Sequence, residues 1–291
     1  MKLQCAWVVV AGLGLAGCGG GGGGGSSDSD RGGEFSTGVT AADLVGTWVQ
    51  TNINRADPLT TGELEWVKTR RQTIVIELVG GSLRMTDCIA NTSLSGTLSN
   101  DSITFAAQPG LSLQVQDAST LTTRVTGSNS ETDVELVKVS DATRYVLATV
   151  DASVDVGGTV VDRSEWSQVC VETVVDKYLS NSIQVKASGS ENGVSGTVLL
   201  NFSTYDYFEA GQYNYPAIGN NVTGSFSLNS LVLNTSGNLS DPVGSMILAQ
   251  DASTVMYFDL VLDSTSSVAP TLGIEGTIEL NSEWLARPDG E

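Results

Sequence analysis

A chain of 291 residues without a single histidine has a restricted chemistry. Ser-His-Asp and Cys-His nucleophilic arrangements are excluded, and so is every histidine-ligated metal. Carboxylates are abundant: 33 Asp and Glu stand against 14 Lys and Arg, for a formal charge of −19. A pair of carboxylates can cleave glycosides without histidine, yet no spacing singles out such a pair. The aspartates are in the right class for calcium, but no Asp-x-Asp/Asn-x-Asp/Asn-Gly loop occurs. So acidic a chain is also unsuited to nucleic acid, which is gripped through Lys and Arg on phosphates. The expectation is a non-catalytic protein with no metal, no cofactor and no nucleic-acid partner.

Two residue groups remain as candidates for contact. Tyr205, Tyr207, Phe208, Tyr213 and Tyr215 crowd one short stretch, interleaved with Asp206, Glu209, Gln212 and Asn214. Flat rings beside amides and carboxylates suit a sugar face or a protein partner. The same residues also suit a hairpin whose tyrosines pair across strands. The second group is the four cysteines, Cys5, Cys18, Cys88 and Cys170, with no Cys-x-x-Cys among them.

The N-terminus decides the fate of two of these. Lys2 and an apolar run over 6–16 form a segment too short to span a bilayer, which reads as a secretory signal. It ends in Leu15-Ala16-Gly17-Cys18. Small residues immediately before a cysteine resemble the lipobox of bacterial lipoproteins. That resemblance implies removal of residues 1–17 and fatty acylation of the Cys18 thiol and its new amino group. Several acyl chains on one residue exceed the marginal anchoring of one chain. Gly19, where the family's inner-membrane members carry Asp, implies sorting to the outer membrane, with its face left open. The membrane is then the one firm partner. Seven glycines follow Cys18, then a Ser/Asp/Gly tract. Nothing there can bury area. Residues 18–39 are expected to form a tether with a reach of about 25 Å.

With Cys5 removed and Cys18 acylated, Cys88 and Cys170 remain. Two thiols in an exported protein are a candidate disulfide worth about 4 kcal/mol in the chain-entropy model. Two buried free thiols are the alternative reading.

Elements able to position these residues begin near residue 40. Gly46-Thr47-Trp48-Val49-Gln50-Thr51 and Gln72-Thr73-Ile74-Val75-Ile76-Glu77-Leu78 are rich in β-branched residues. So is the run from Thr143 to Val150, while Ser182-Ile183-Gln184-Val185-Lys186-Ala187 and Gly276-Thr277-Ile278-Glu279-Leu280 alternate polar with apolar. Val79-Gly80-Gly81-Ser82, Ser99-Asn100-Asp101-Ser102 and Val156-Gly157-Gly158-Thr159 punctuate them as turns. Short strands with such punctuation predict an all-β barrel or sandwich. One brief helix is expected over 41–45, with Thr40 as its N-cap and Asp43 completing a capping box. Gln116-Asp117-Ala118-Ser119-Thr120 recurs as Gln250-Asp251-Ala252-Ser253-Thr254, a shared turn or the trace of a duplication.

A helical turn leading into Gly46-x-Trp48 at the first strand resembles the lipocalin, or calycin, pattern. The resemblance implies an eight-stranded antiparallel barrel closed at one end by Trp48. It also implies a basic residue late in the barrel over that ring, with Arg144 and Arg163 as candidates. Charge suggests a boundary further on: after Lys186 no Lys or Arg occurs until Arg287. The expected organisation is a lipocalin-like domain over 40–186 and an acidic second β domain, sandwich or barrel-like, over 187–291, with a single large barrel as the competing view. Function then reads as non-catalytic binding or structural work in the envelope. A small apolar ligand in the barrel is one version, a surface module meeting a glycan or protein the other, and a carboxylate hydrolase the third.

Overall fold

A computed structural model describes residues 37–57, 62–143, 148–156, 159–163, 166–191, 194–215, 217, 219–228, 231–234, 243–250, 254–262, 271–280 and 282–287. The signal-like segment, Cys18 and all of the tether before Thr37 lie outside them.

Alternation of apolar and polar residues makes strands of the first hundred described residues. These are β1 (Gly46–Ala56), β2 (Glu65–Val79), β3 (Ser82–Asp87), β4 (Thr92–Ser99), β5 (Ser102–Phe105), β6 (Ser112–Asp117), β7 (Thr120–Thr126) and β8 (Ser130–Ser140). Each pairs antiparallel with the next, β8 returns to β1, and β1 pairs with β2, so the sheet closes. Turn chemistry sets the connections. Gly80 and Gly81 have φ of 59° and 82°, and Asn100 and Asp101 have φ of 49° and 56°. Positive φ at both central residues is what a tight hairpin between right-twisted strands requires, and Gly, Asn and Asp tolerate it best. The result is a closed, eight-stranded, up-and-down antiparallel barrel, consistent with a lipocalin-like fold.

The second half continues as β9 (Ala148–Val156), β10 (Thr159–Arg163), β11 (Gln168–Asp176), β12 (Asn181–Glu191), β13 (Val194–Thr204), β14 (Gly211–Tyr215), β15 (Asn220–Leu228), β16 (Leu231–Asn234), β17 (Val243–Gln250), β18 (Thr254–Leu262) and β19 (Thr271–Leu280), then a 3-10 turn at Ser282–Leu285. Strands β11-β12-β13-β15-β16 extend the barrel's sheet from β2. A six-stranded sheet, β10-β9-β19-β18-β17-β14, packs against them. Between the sheets lies a core that includes Val171, Val185, Leu200, Phe202, Phe226, Met246, Phe258, Leu260 and Ile274. The barrel has a separate core of its own around Trp48.

One expectation changes. Residues 41–44 form consecutive turns rather than a helix, with Asp43 N–H donating to the Thr40 carbonyl and Val45 N–H to that of Ala42. Between a cap at Thr40 and a glycine at 46 there is too little chain to repay helix nucleation. Half of the capping box nevertheless forms: the Asp43 carboxylate accepts from Thr40 N–H at 2.8 Å, and also from its hydroxyl at 2.6 Å. The charge change at Lys186 falls inside β12, whereas the barrel's last strand ends at Ser140. Composition tracks the side chains a surface displays, not where one sheet hands over to another.

Gly46 shows why the barrel opens on a glycine. Its φ is 147°, and a Cβ there would fall on the Ser140 carbonyl oxygen and within 2.7 Å of Lys138 Cε, where β8 bulges against β1. Gly110 has open space around it. Gly46→Ala is therefore expected to cost at least about 1–3 kcal/mol, read as a lower urea midpoint, with Gly110→Ala near neutral.

Candidate functional site

Trp48 is fully buried and donates from Nε1 to the Leu44 carbonyl at 3.0 Å, fastening the 41–44 turns over the barrel end. The cation that covers it is Lys138, on the last barrel strand. Its Nζ lies 6.0 Å from the ring centroid, donates to the Asp43 carbonyl at 2.8 Å and pairs with Asp141 at 2.6 Å. Lys138 thus occupies the place for which Arg144 and Arg163 were candidates. Arg144 lies outside the described residues, and Arg163 belongs to β10 of the second unit. Sequence spacing missed Lys138 because the bulge that swings it over the ring is a property of β1–β8 pairing.

Below Trp48 the barrel is filled. Ile76, Ile103, Leu113, Leu121 and Leu136 are wholly buried, and Ile74, Leu83, Met85 and Phe105 nearly so. Even Gly96 has no room for a methyl group, since its Cβ would come within 2.6 Å of Ile103 Cγ2 and 2.8 Å of Phe105 Cε1. Interiors packed in this way leave no space for a guest at these positions. Further along β1, β2 and β8 the buried layer turns polar, with Gln50, Asn52, Asn54, Gln72 and Thr132. Gln50 Nε2 donates to Asn52 Oδ1 at 2.8 Å and Thr132 Oγ1 to Asn54 Oδ1 at 2.7 Å. At the surface nearby, burial alone would raise the Asp133 pKa, but hydrogen bonds from Arg55 and Arg124 hold it below the usual carboxylate range.

The junction between barrel and second unit combines a disulfide, buried ion pairs and side-chain-to-backbone hydrogen bonds. Cys88, just after β3, is bonded to Cys170 of β11, with 5.8 Å between Cα atoms. Arg70 of β2 lies between Asp87 at 3.4 Å and Glu172 at 2.5 Å, all three largely buried. The Thr73 hydroxyl donates to the Val171 carbonyl and accepts from the Val171 N–H, both at 3.1 Å. The Thr173 hydroxyl donates to the Trp284 carbonyl at 2.6 Å, tying the C-terminal 3-10 turn to β11. Lys186 Nζ donates to the carbonyls of Cys88 at 3.1 Å and Ile89 at 2.8 Å. Loss of solvent pulls its pKa down, and the charge of Asp87 opposes this.

Cys88 and Lys186 help line a cleft of about 410 Å³ between the outer face of β2–β4 and the sheet of β11–β13. Its walls carry the hydroxyls of Thr86, Ser93, Ser188 and Thr197, the amides of Asn91 and Gln168, and the Glu77–Arg84 ion pair at 2.5 Å. Of Lys186's three N–H donors, the two bonds above use two. Nothing in the sequence marks these residues as a set, apart from the cysteines that hold their two walls together.

The aromatic stretch is dispersed by the fold. Tyr205 is 80% exposed, whereas Phe208 and Tyr215 are buried in the second core. Tyr215 packs on Phe202 and Tyr213 edge-on to Phe208, with centroids 6.1 and 5.5 Å apart. The Tyr213 hydroxyl bonds the Glu209 backbone, and Arg287 lies 4.2 Å over the Tyr207 ring. Burial pushes the pKa of Tyr213 and Tyr215 upward. The tyrosines do not pair with one another across a hairpin: β14 pairs with β17 instead. Of the recurring pentapeptide, Asp117 and Thr120 pair at the β6–β7 turn and Gln250 and Thr254 at β17–β18. Both copies link antiparallel neighbouring strands, and residues 251–253 lie outside the described residues.

No protein-family model and no curated protein matches the chain.

The disulfide closes a loop of 82 residues. Replacing both cysteines, Cys88→Ala with Cys170→Ala, is expected to lower stability by about 4 kcal/mol. Equilibrium denaturation measures it, and a reductant should lower the wild-type protein to the same level.

Proposed function

We propose that this chain is a lipid-anchored bacterial envelope protein that works by binding, not catalysis, and that its ligand is hydroxyl-rich, as a glycan is. One observation carries the reading. The barrel interior is occupied by the protein's own large side chains, while the cleft at the disulfide is lined by hydroxyls, amides and a lysine ammonium. A recess of that size and polarity offers alternating donors and acceptors and little apolar area, which matches a sugar better than a lipid or a steroid. The barrel then serves as a rigid wall for the cleft rather than as a container.

Four carboxyls among the described residues, Asp43, Glu65, Asp117 and Asp133, are displaced downward from the ordinary carboxylate range. Hydrogen bonds from Thr40 to Asp43, from Lys177 and Tyr178 to Glu65 and from Ser119 to Asp117 account for the first three. A glycosidase acid needs the opposite displacement. The anchor rests on Cys18 and the residues before it, and the tether would hold the cleft clear of the membrane.

Two experiments test this. Cys18→Ser should abolish incorporation of a labelled fatty acid and move the protein out of the membrane fraction; continued labelling would sink the anchor. For the cleft, the detergent-solubilised chain is screened on a glycan array and the best oligosaccharide titrated calorimetrically, with affinity expected near the millimolar range, about −4 kcal/mol. Ser188→Val and Thr197→Val should each weaken binding by about 0.5–1.5 kcal/mol without moving the thermal midpoint. Binding indifferent to both substitutions would place the ligand elsewhere.

A further inference from the structure

The outer face of the six-stranded sheet carries a second, independent feature. Four of the chain's exposed large apolar residues stand there on two adjacent strands: Val243 and Ile247 of β17, Tyr257 and Val261 of β18. Between them runs a row of directly opposed residues, Ser245, Asp259, Glu275 and Asp151, on β17, β18, β19 and β9. Adjacent strands are about 4.8 Å apart, so the three carboxylates span about 10 Å, with apolar residues about 7 Å away on either side along the strands. A groove of about 320 Å³ lies over this row, reaching down to Gly276 and Phe258.

Like charges directly opposite one another in a sheet are destabilising. Neither a cation nor a hydrogen-bond donor meets Asp151, Asp259 or Glu275 among the described residues, and no described Lys or Arg side chain lies on this face. The sheet thus holds an unrelieved repulsion beside exposed apolar area, an arrangement that costs stability and gains only when a partner supplies positive charge.

We propose that this face docks a basic, amphipathic segment of a protein partner, its Lys or Arg groups over the Asp259–Glu275–Asp151 row and its apolar side chains on Ile247–Tyr257 and Val243–Val261. Charge complementarity selects this occupant. A second copy of the chain would set acid against acid. No three carboxylates of the described residues converge enough to cage a metal ion. A sugar would find a single exposed ring, Tyr257, to stack on. The surface is separate from the cleft, so its failure leaves the glycan reading untouched.

The test uses the detergent-solubilised full chain and two synthetic probes, an amphipathic Leu/Lys peptide and its Leu/Glu counterpart, with Kd measured by fluorescence anisotropy at low and high salt. The Leu/Lys peptide should bind, more weakly as salt rises, and the Leu/Glu peptide should not. Asp259→Lys with Glu275→Lys should weaken binding at least about tenfold, and Ile247→Ser with Tyr257→Ser severalfold. Glu135→Lys, a reversal on the exposed barrel surface, should leave Kd unchanged. The neutral pair Asp259→Asn with Glu275→Gln separates docking from folding: it should raise the thermal midpoint by relieving repulsion while weakening the peptide. Four results would overturn the proposal. They are equal loss from Glu135→Lys, which would reduce the effect to net charge; no loss from the sheet variants; a lowered midpoint in the neutral pair; and self-association of the chain that Tyr257→Ser abolishes.

Discussion

Strand β2 is longer than the barrel needs, and the molecule is organised around the edge this leaves. Its Ile74–Val79 portion pairs with β3, but residues 68–72 on the same side would expose a row of backbone donors and acceptors. An unpaired edge of that kind must be covered or paired. Strand β11 pairs with it, and from β11 the second half of the chain extends. One strand therefore belongs to both units, and the barrel's sheet becomes one wall of the next core. The disulfide and the Arg70–Asp87–Glu172 cluster lie beside this branch point. A buried cation between two carboxylates is costly to break, because removing either partner leaves charge without solvent. The junction is thus held by backbone pairing, a covalent bond and paired charge together, and the cleft at its surface inherits a defined shape.

Filling the barrel has a functional consequence. Lipocalin-like barrels can enclose a ligand, but here Met85, Phe105 and the leucines around them consume the volume. The polar cleft and the acidic sheet face both lie outside the barrel, where the composition also changes character. Basic residues cluster where they are used: Arg70 and Lys186 at the junction, Lys138 over Trp48, Arg55 and Arg124 on Asp133. Among the described residues, the far sheet's open face has acid without such partners. Within those residues charge is unevenly distributed, neutralised at the structural contacts and unneutralised on one exposed face.

Much of the fold could be read from residue order because it depends on local physics. Gly80-Gly81 and Asn100-Asp101 mark hairpins since few other residues accept positive φ in succession. Thr40 and Asp43 announce a cap, and Gly46-x-Trp48 announces a strand that begins under crowding. Cys88 and Cys170 stood out in the sequence as a candidate pair, with two free thiols as the alternative, and it is the fold that brings them together. The tyrosine-rich stretch shows the limit. Five aromatics close in sequence scatter into a core, a strand edge, an Arg287 stack and solvent, because neighbours along an irregular segment need not share a face.

Residue types and their order by themselves determined the class of fold, the hairpin turns and the absence of histidine chemistry, and they carry the lipobox-like pattern at Cys18. Each is local: a φ preference, a period of two, a missing side chain, a short processing motif. Only the tertiary structure decided that Lys138 covers Trp48, that the barrel is full, that β2 is shared, and that Asp151, Asp259 and Glu275 stand in one row. These depend on cross-strand register between segments far apart in the chain, and register is set by the packing of whole sheets.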